Sequence, residues 1–301
     1  MTKPTLLVLA AGMGSRYGGL KQIDTLGPNG ETIIDYSIYD AIRAGFGKVV
    51  MVIRKSIEEE FKQIFFSKYS EKIEIEYVLQ EIEYVPEGAT YNPERTKPWG
   101  TAHAILMADG VINEPFSVIN GDDFYGADAF KQMVTYLTQQ KNDSTDYCMV
   151  GYRLDRTLSD YGFVSRGVCQ TNDENMLLKV TECTQIKRID SVICYKDAQD
   201  ISQTLPGDQI VSMNCWGFTP TYFRYLKIAF DKFISKHGND LKSEFYIPAV
   251  LSELIDEKKA TIKVLSSAAE WFGVTYKEDR SFVVERLKKL TEEGKYPSPL
   301  W

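Results

Sequence analysis

With 301 residues, 44% of them hydrophobic and 26% charged, the chain can bury a large core in one big α/β domain or two coupled ones. A net charge of -7 argues against a general nucleic-acid binder, which carries a basic face, and the lack of an apolar run of about eighteen residues argues against a membrane span. The five cysteines (Cys148, Cys169, Cys183, Cys194 and Cys215) form no close C-x-x-C pair and the only histidines are His103 and His237, which argues against zinc and for a reduced, cytoplasmic enzyme.

The opening MTKPTLLVLAAG is too short in its apolar part for a secretory signal and reads as a first strand, over 6–9. A helix is expected over 33–44 (IIDYSIYDAIRA), a strand over 48–53 (KVVMVI) and a helix over 57–66 (IEEEFKQIFF), whose Glu58, Glu59 and Glu60 form a solvated face. Residues 73–79 (IEIEYVL) alternate as a half-buried strand does; 101–108 (TAHAILMA) is helical and 116–119 (FSVI) a buried strand. This alternation implies βαβ units and a mostly parallel sheet. From about residue 146 the pattern turns mixed, with strands expected over 147–153, 164–166, 177–181 and 189–195. Helices over 221–236 and 244–257 and a strand over 261–265 follow. The expected division is a core over 1–220, in two halves that meet at about 145, and a C-terminal part over 221–301 packing on it. Residues 81–99 (EIEYVPEGATYNPERTKPW) show no period; a loop this long inside a domain is functional, as a lid or partner surface, or disordered. The aromatic end, Tyr296 to Trp301, packs on the body or on a second subunit, which leaves a homo-oligomer open.

The most informative stretch is LVLAAGMGSRYGGLKQ, residues 7–22. In an α/β sheet, ligands sit beyond the carboxyl ends of the strands, where this loop lies. Gly12 and Gly14 let backbone N–H groups approach a phosphate, while Arg16 and Lys21 add positive charge. The plain alternative is a tight strand-to-helix turn with a solvated basic end. The spacing matches neither G-x-x-x-x-G-K-[ST] nor G-x-G-x-x-G.

The run Ala10-Ala11-Gly12-Met13-Gly14-Ser15-Arg16, then Lys21-Gln22, resembles the A-A-G-x-G-[ST]-R loop of the sugar-1-phosphate nucleotidyltransferases, in their thymidylyl- and uridylyl-transferring branch. The resemblance implies a Rossmann-like, GT-A-type α/β fold: a mostly parallel sheet flanked by helices, with a nucleotide-binding half to about 145 and a mixed, acceptor-binding sugar region over 146–220. It implies that Arg16 and Lys21 act catalytically on the phosphates of a nucleoside triphosphate wrapped by Ala10, Ala11, Gly12, Gly14 and Ser15. VLQ at 78–80 resembles the strand end whose glutamine, here Gln80, pairs with a pyrimidine. GTAHA at 100–104 resembles G-T-A-x-A, placing Gly100 and Thr101 at the base; nineteen residues separate the two where the family has only a few. INGDDFYG at 119–126 resembles the strand end whose first aspartate binds magnesium, here Asp122, with Asp123 beside it. A DD pair taken alone is as often a helix cap.

The second half carries thinner matches. YGFV at 161–164 resembles Y-G-V-V and places Gly162 near the acceptor. KVTEC at 179–183 resembles V-E-K-P, giving Glu182 to sugar hydroxyls but putting Cys183 where a lysine is expected; either Lys187 or Arg188 substitutes for it, or the acceptor phosphate is held differently. Asn214, in MNCWGF, sits where the family touches the sugar, or is a turn residue. WFGVT at 271–275 aligns with W-x-D-x-G, so Gly273 takes the place of a second magnesium aspartate, for which Asp279 is the nearest candidate.

The implied reaction converts an NTP and a sugar 1-phosphate into an NDP-sugar and pyrophosphate, with Mg2+ as cofactor and neither nucleic acid nor membrane as partner. No general base is needed, since a phosphate dianion is already a nucleophile. Gln80 and Lys21-Gln22 lean to UTP or dTTP. Cytidylyl transfer, onto a sugar phosphate or phosphocholine, stays open, as does a regulatory module of the same fold that has lost turnover. A glycosyltransferase is disfavoured by the basic glycine-rich loop and because Asp122-Asp123-Phe124 is not D-x-D. His103 reads as a packing or helix-surface residue, and Tyr17 as either a ligand contact or a surface residue.

Overall fold

Two unbroken apolar runs, β1 (Thr5–Leu9) and β2 (Lys48–Ile53), must be covered on both faces, and they lie side by side and parallel inside a sheet. The computed structural model describes residues 2–12, 24–197 and 199–301. β3 (Glu74–Leu79) adds in parallel outside β2, and β4 (Phe116–Asn120) in parallel on the other side of β1, so that Leu7 faces Val50 and Val118 across the ladders. A short ladder, β5 (Asp123–Phe124), follows. The sheet then turns antiparallel: β6 (Asp146–Arg153), β7 (Val164–Thr171), β8 (Leu177–Ile189), β9 (Val192–Lys196), β10 (Ser202–Leu205) and β11 (Ile210–Phe218). Its order is β10-β9-β8-β7-β11-β4-β1-β2-β3, and β6 joins β11 to the parallel strand β12 (Thr261–Ser266), making eleven strands among the described residues. The pair of β5 with β13 (Phe272–Gly273) stands apart from this sheet.

Period-two alternation divides the core. Leu6, Val8, Val49 and Met51 pack on one face with the helices Ile33–Ala44 and Ala127–Leu137. Leu7, Val50, Val52 and Val118 face the helices Thr101–Leu106, Thr221–His237 and Ile247–Asp256. Helix Ile33–Ala44 begins at a capping box, with Thr32 and Asp35 each bonding the other's backbone N–H, and ends at Gly45, whose φ of 109° suits the left-handed cap.

The fold is the Rossmann-like α/β arrangement expected, but its sheet is mixed rather than mostly parallel, because β7 to β11 add antiparallel ladders beside the parallel strands β1 to β4. No described helix is long and apolar enough to cross a membrane. Its central antiparallel strand, β11, was not legible, because a register shift between Ser212 and Trp216 breaks the alternation. The expected strand over 189–195 is instead a hairpin: β8 runs to Ile189 and β9 starts at Val192. The helix expected over 57–66 reaches Tyr69 and contains a π-helical turn at Lys62–Phe66. Helix Asp279–Glu292 was not among the expected elements; it buries Val283, Leu287 and Leu290 in a narrow strip at helical spacing, set among charged residues.

The aromatic end packs on the body. The Tyr296 ring meets Tyr36 edge-on at 5.0 Å, its hydroxyl donates to Asp40 Oδ2 at 2.7 Å, and Leu300 is buried. Burial pushes the Asp40 carboxyl up to about 7, against the Tyr296 bond and Arg43, which favour the anion. A raised carboxyl pKa stabilises the fold while the group is protonated, and that contribution is lost as pH rises from the unfolded value near 4 through 7. Wild-type stability relative to Asp40→Asn is therefore expected to fall between pH 5 and 7, by at most about 1.4 kcal/mol per pH unit. Urea titrations of both proteins at several pH values check this.

Candidate functional site

The parallel strands end together, laced by backbone bonds past their last residues: Ala10 N–H to Val52 O (2.9 Å), Gly121 N–H to Leu9 O (2.9 Å) and Gln80 N–H to Ile53 O (2.8 Å). Beyond these ends lies a cavity of about 590 Å³. Ala11 and Gly12 line it from β1, Arg54 from β2, Gln80 from β3, and Asn120 and Asp122 from β4. Gly100 and Thr101 close one side, Asn214 and Glu244 another. Seven sequence-predicted residues thus meet in one space, with Ala10 buried just beneath. Gly14, Ser15, Arg16, Tyr17 and Lys21 lie outside the described residues. A larger cleft of about 880 Å³, lined by Leu79, Val85 and Phe230 with the charged Glu83, Asp109, Lys227 and Asp231, holds none of the sequence-predicted residues.

Gly100 has φ +114°, and a Cβ there would stand 2.6 Å from Phe245 O, so only glycine fits. Phe245 N–H bonds Trp99 O (2.5 Å) and Ala102 N–H bonds Phe245 O (3.0 Å), fastening this wall to the second half of the chain. Behind it, Gln80 Nε2 donates to Gly100 O (2.9 Å) and lies 3.2 Å from His103 Nδ1, while His103 Nε2 is 2.8 Å from Tyr84 O. His103 is fully buried, and that burial lowers its pKa to about 4.

Residues 81–99 form part of this wall, with Thr96, Lys97 and Pro98 on the cavity. They are pinned by the buried Arg95, whose guanidinium donates to the carbonyls of Lys97 (2.7 Å), Pro98 (3.0 Å), Asp240 (2.7 Å) and Ser243 (2.6 Å) and lies 3.7 Å from the Trp99 ring centroid. Lys97 pairs with Glu244, and Arg54 makes two 3.3 Å contacts with Glu81. None of these charged residues belonged to a motif; the signal was an arginine and a lysine among prolines in a segment with no period.

Asn214 sits at the β11 irregularity with φ 59°, and its amide reaches Asn120 Oδ1 at 3.4 Å. Asn120 Nδ2 in turn donates to Asp123 Oδ2 (2.9 Å). The Tyr125 hydroxyl accepts from Asn120 N–H (3.1 Å) and donates to Met213 O (2.7 Å). Asp123 thus faces this network while Asp122 faces the cavity. Burial, and then the neighbouring Asp122 carboxylate, raise the Asp123 pKa; Asn120, Arg166 and Tyr125 oppose them. A Cβ at 273 would lie 2.5 Å from Asp123 Oδ1, so the glycine in β13 leaves room for the aspartate opposite it in β5.

Among the described residues no three His, Cys, Asp or Glu side chains cluster as a metal cage. Asp122, which lines the cavity together with Glu244, suits a hard cation that completes its shell with substrate oxygens and water, as magnesium does.

The remaining predicted residues among those described, Gly162, Glu182, Lys187 and Asp279, do not line that cavity. A Cβ at Gly162 would fall 2.5 Å from the Tyr276 ring, so its close approach is to protein. Lys187 Nζ lies over the Phe163 ring at 4.7 Å. Glu182 faces Gly167 across the β7–β8 ladder; burial and Glu244 raise its pKa, and Arg166 lowers it. Asp279 requires a correction as a metal candidate. Its carboxylate accepts from Ser159 Oγ (2.8 Å), Thr275 N–H (3.1 Å) and Tyr276 N–H (2.7 Å), which closes a turn beside a separate small cavity.

A buried arginine escaped the sequence reading. Arg166 is the register partner of Cys183, the position where a lysine was expected. It bonds Thr157 Oγ1 (3.2 Å), Thr157 O and Ser165 O (2.7 Å), and stacks 5.0 Å over Trp271. Burial lowers its pKa to about 10, against Asp123, Glu182 and Asp279, which hold the charge on it. An arginine at an inward position between Val164 and Val168 was the available signal.

The chain matches the family described as Nucleotidyl transferase over residues 6–274. It is 24% identical over 292 residues to UTP--glucose-1-phosphate uridylyltransferase AglF of Haloferax volcanii, covering 96% of this chain and 98% of that protein. Its fold is similar to that of the inositol-1-phosphate CTP transferase from T. maritima (TM-score 0.59, 17% identity, 96% and 97% of the two chains). It is likewise similar to that of UDP-glucose pyrophosphorylase from Acinetobacter baumanii (0.60, 15%, 98% of each).

Arg95→Met keeps the contact with Trp99 but leaves four carbonyls without their donor. It is expected to destabilise the protein by about 3 kcal/mol and to speed protease cleavage within 81–99. Denaturant melts and timed limited proteolysis measure the two effects.

Proposed function

The chain belongs to the nucleotidyl transferase family, as a sugar-1-phosphate nucleotidyltransferase that yields an NDP-sugar, and we propose that its nucleotide donor is UTP or dTTP. The observation that carries this reading is the meeting of Gly12, Gln80, Gly100 and Asp122, from separate strand ends and a helix start, around one cavity.

In the proposed reaction a phosphate oxygen of the sugar 1-phosphate attacks the α-phosphorus of the triphosphate. A new P–O bond forms, the bond to the bridging oxygen breaks, and pyrophosphate leaves with that electron pair. Positioning two anions against each other is the main task. Gln80 and the Gly100 backbone hold the base. Gly12 carries the phosphates past β1. Arg16 and Lys21 neutralise the triphosphate, an assignment that rests on sequence alone. Asp122 would hold Mg2+, which supplies charge neutralisation between donor and acceptor phosphates when bound. Glu182 and Asn214 take sugar hydroxyls. Arg166, fixed opposite Cys183, provides the buried positive charge on the acceptor side.

Pyrophosphate release is expected from one NTP, UTP or dTTP, only when a suitable acceptor is present, in a panel of nucleotides, sugar 1-phosphates and phosphocholine with magnesium. Asp122→Ala is expected to lower kcat/KM by about 100-fold or more, and Arg16→Ala by a similar factor. Normal turnover by either variant would remove its assigned role. Binding of nucleotide without release from any pair would favour the regulatory module.

A further inference from the structure

We propose that His103 is a positioning residue for nucleotide choice: it holds the Gln80 carboxamide with its oxygen toward the cavity, so that the site takes a pyrimidine whose ring N3 bears a hydrogen, as in uracil and thymine, over cytosine, whose N3 is an acceptor. The identity of the ligand rests on the nucleotidyl-transfer reading above; the side-chain geometry does not.

The hydrogens in this cluster are set by its two ends, because both are carbonyl oxygens and can only accept. Tyr84 O, 2.8 Å from His103 Nε2, requires the ring hydrogen on Nε2. In the neutral ring Nδ1 is then an acceptor, and it lies 3.2 Å from Gln80 Nε2. Gly100 O, 2.9 Å from the same Nε2, takes the other amide hydrogen. Both hydrogens of the carboxamide are thereby used on protein acceptors. Gln80 lines the cavity, so Oε1 is the atom left for a ligand there. Flipping the carboxamide would set its oxygen against Gly100 O and the Nδ1 lone pair, two acceptors facing a third.

The imidazole has no room to relax. His103 has no exposed surface and packs 4.7 Å from the Phe230 ring, and its burial keeps the imidazole neutral across the physiological range. A base presenting N3–H satisfies Oε1. Cytosine presents a lone pair there, and its amino hydrogens stand one ring position away, so binding it leaves two acceptors opposed.

Dissociation constants of UTP, dTTP and CTP, measured calorimetrically with magnesium on the whole protein, test this alongside the 15N spectrum of its labelled histidines. Wild type is expected to bind UTP or dTTP at least about tenfold more tightly than CTP. His103→Leu is expected to bring that ratio within about threefold, with the loss falling on UTP. The His103 Nδ1 resonance is expected at the unprotonated position and to move on adding UTP. A ratio unchanged in His103→Leu, a wild type that prefers CTP or binds no nucleotide, or a protonated Nδ1 overturns the proposal. If His103→Leu fails to fold, the wild-type spectrum and wild-type ratio decide it. If no substrate pair releases pyrophosphate, the proposed reaction falls while the binding ratio still decides the role of His103.

Discussion

The register of β1 between β2 and β4 is the constraint on which the rest of the structure depends. Leu7 stands level with Val50 and Val118, so the parallel strands finish at one edge of the sheet. Strand ends that finish together must hand their chains on as loops over the same space, and Gly12, Gln80 and Asp122 meet there for that reason. A slip of one residue in β1 would turn Leu6 and Val8 to the opposite layer of helices and exchange the two faces of the core.

Around this edge the second half of the chain is attached by buried polar groups rather than by apolar packing alone. Arg95 joins residues 95–98 to the carbonyls of 240 and 243. Asn120, Asp123 and Tyr125 join the end of β4 to the β11 irregularity. Arg166 lies among three carboxylates drawn from β5, β8 and the start of helix Asp279–Glu292. Such groups cost much to leave unpaired, so each ties its neighbours to one arrangement.

Two departures from the family pattern become intelligible together. The missing lysine at 183 faces an arginine across the ladder, and the missing aspartate at 273 leaves the volume that Asp123 fills from the opposite strand. In each case the substitution and its neighbour belong to one packed unit. Neither position can be judged alone, since Gly273 with a larger side chain would drive Asp123 away from Asn120.

What the sequence by itself determined were local patterns: the apolar runs of β1 and β2, and the glycine, glutamine and aspartate that end successive strands. These follow from residue order within a few positions, where periodicity, capping and backbone freedom act. The tertiary structure alone decided that residues 81–99 wall the cavity, that His103 stands behind Gln80, that Arg166 faces Cys183 and that Asp279 closes a turn instead of facing Asp122. It also decided the course of β11, whose irregularity hides its alternation yet turns Asn214 toward Asn120. Each of these depends on which distant segments pair and in what register, and no spacing along a single chain encodes that.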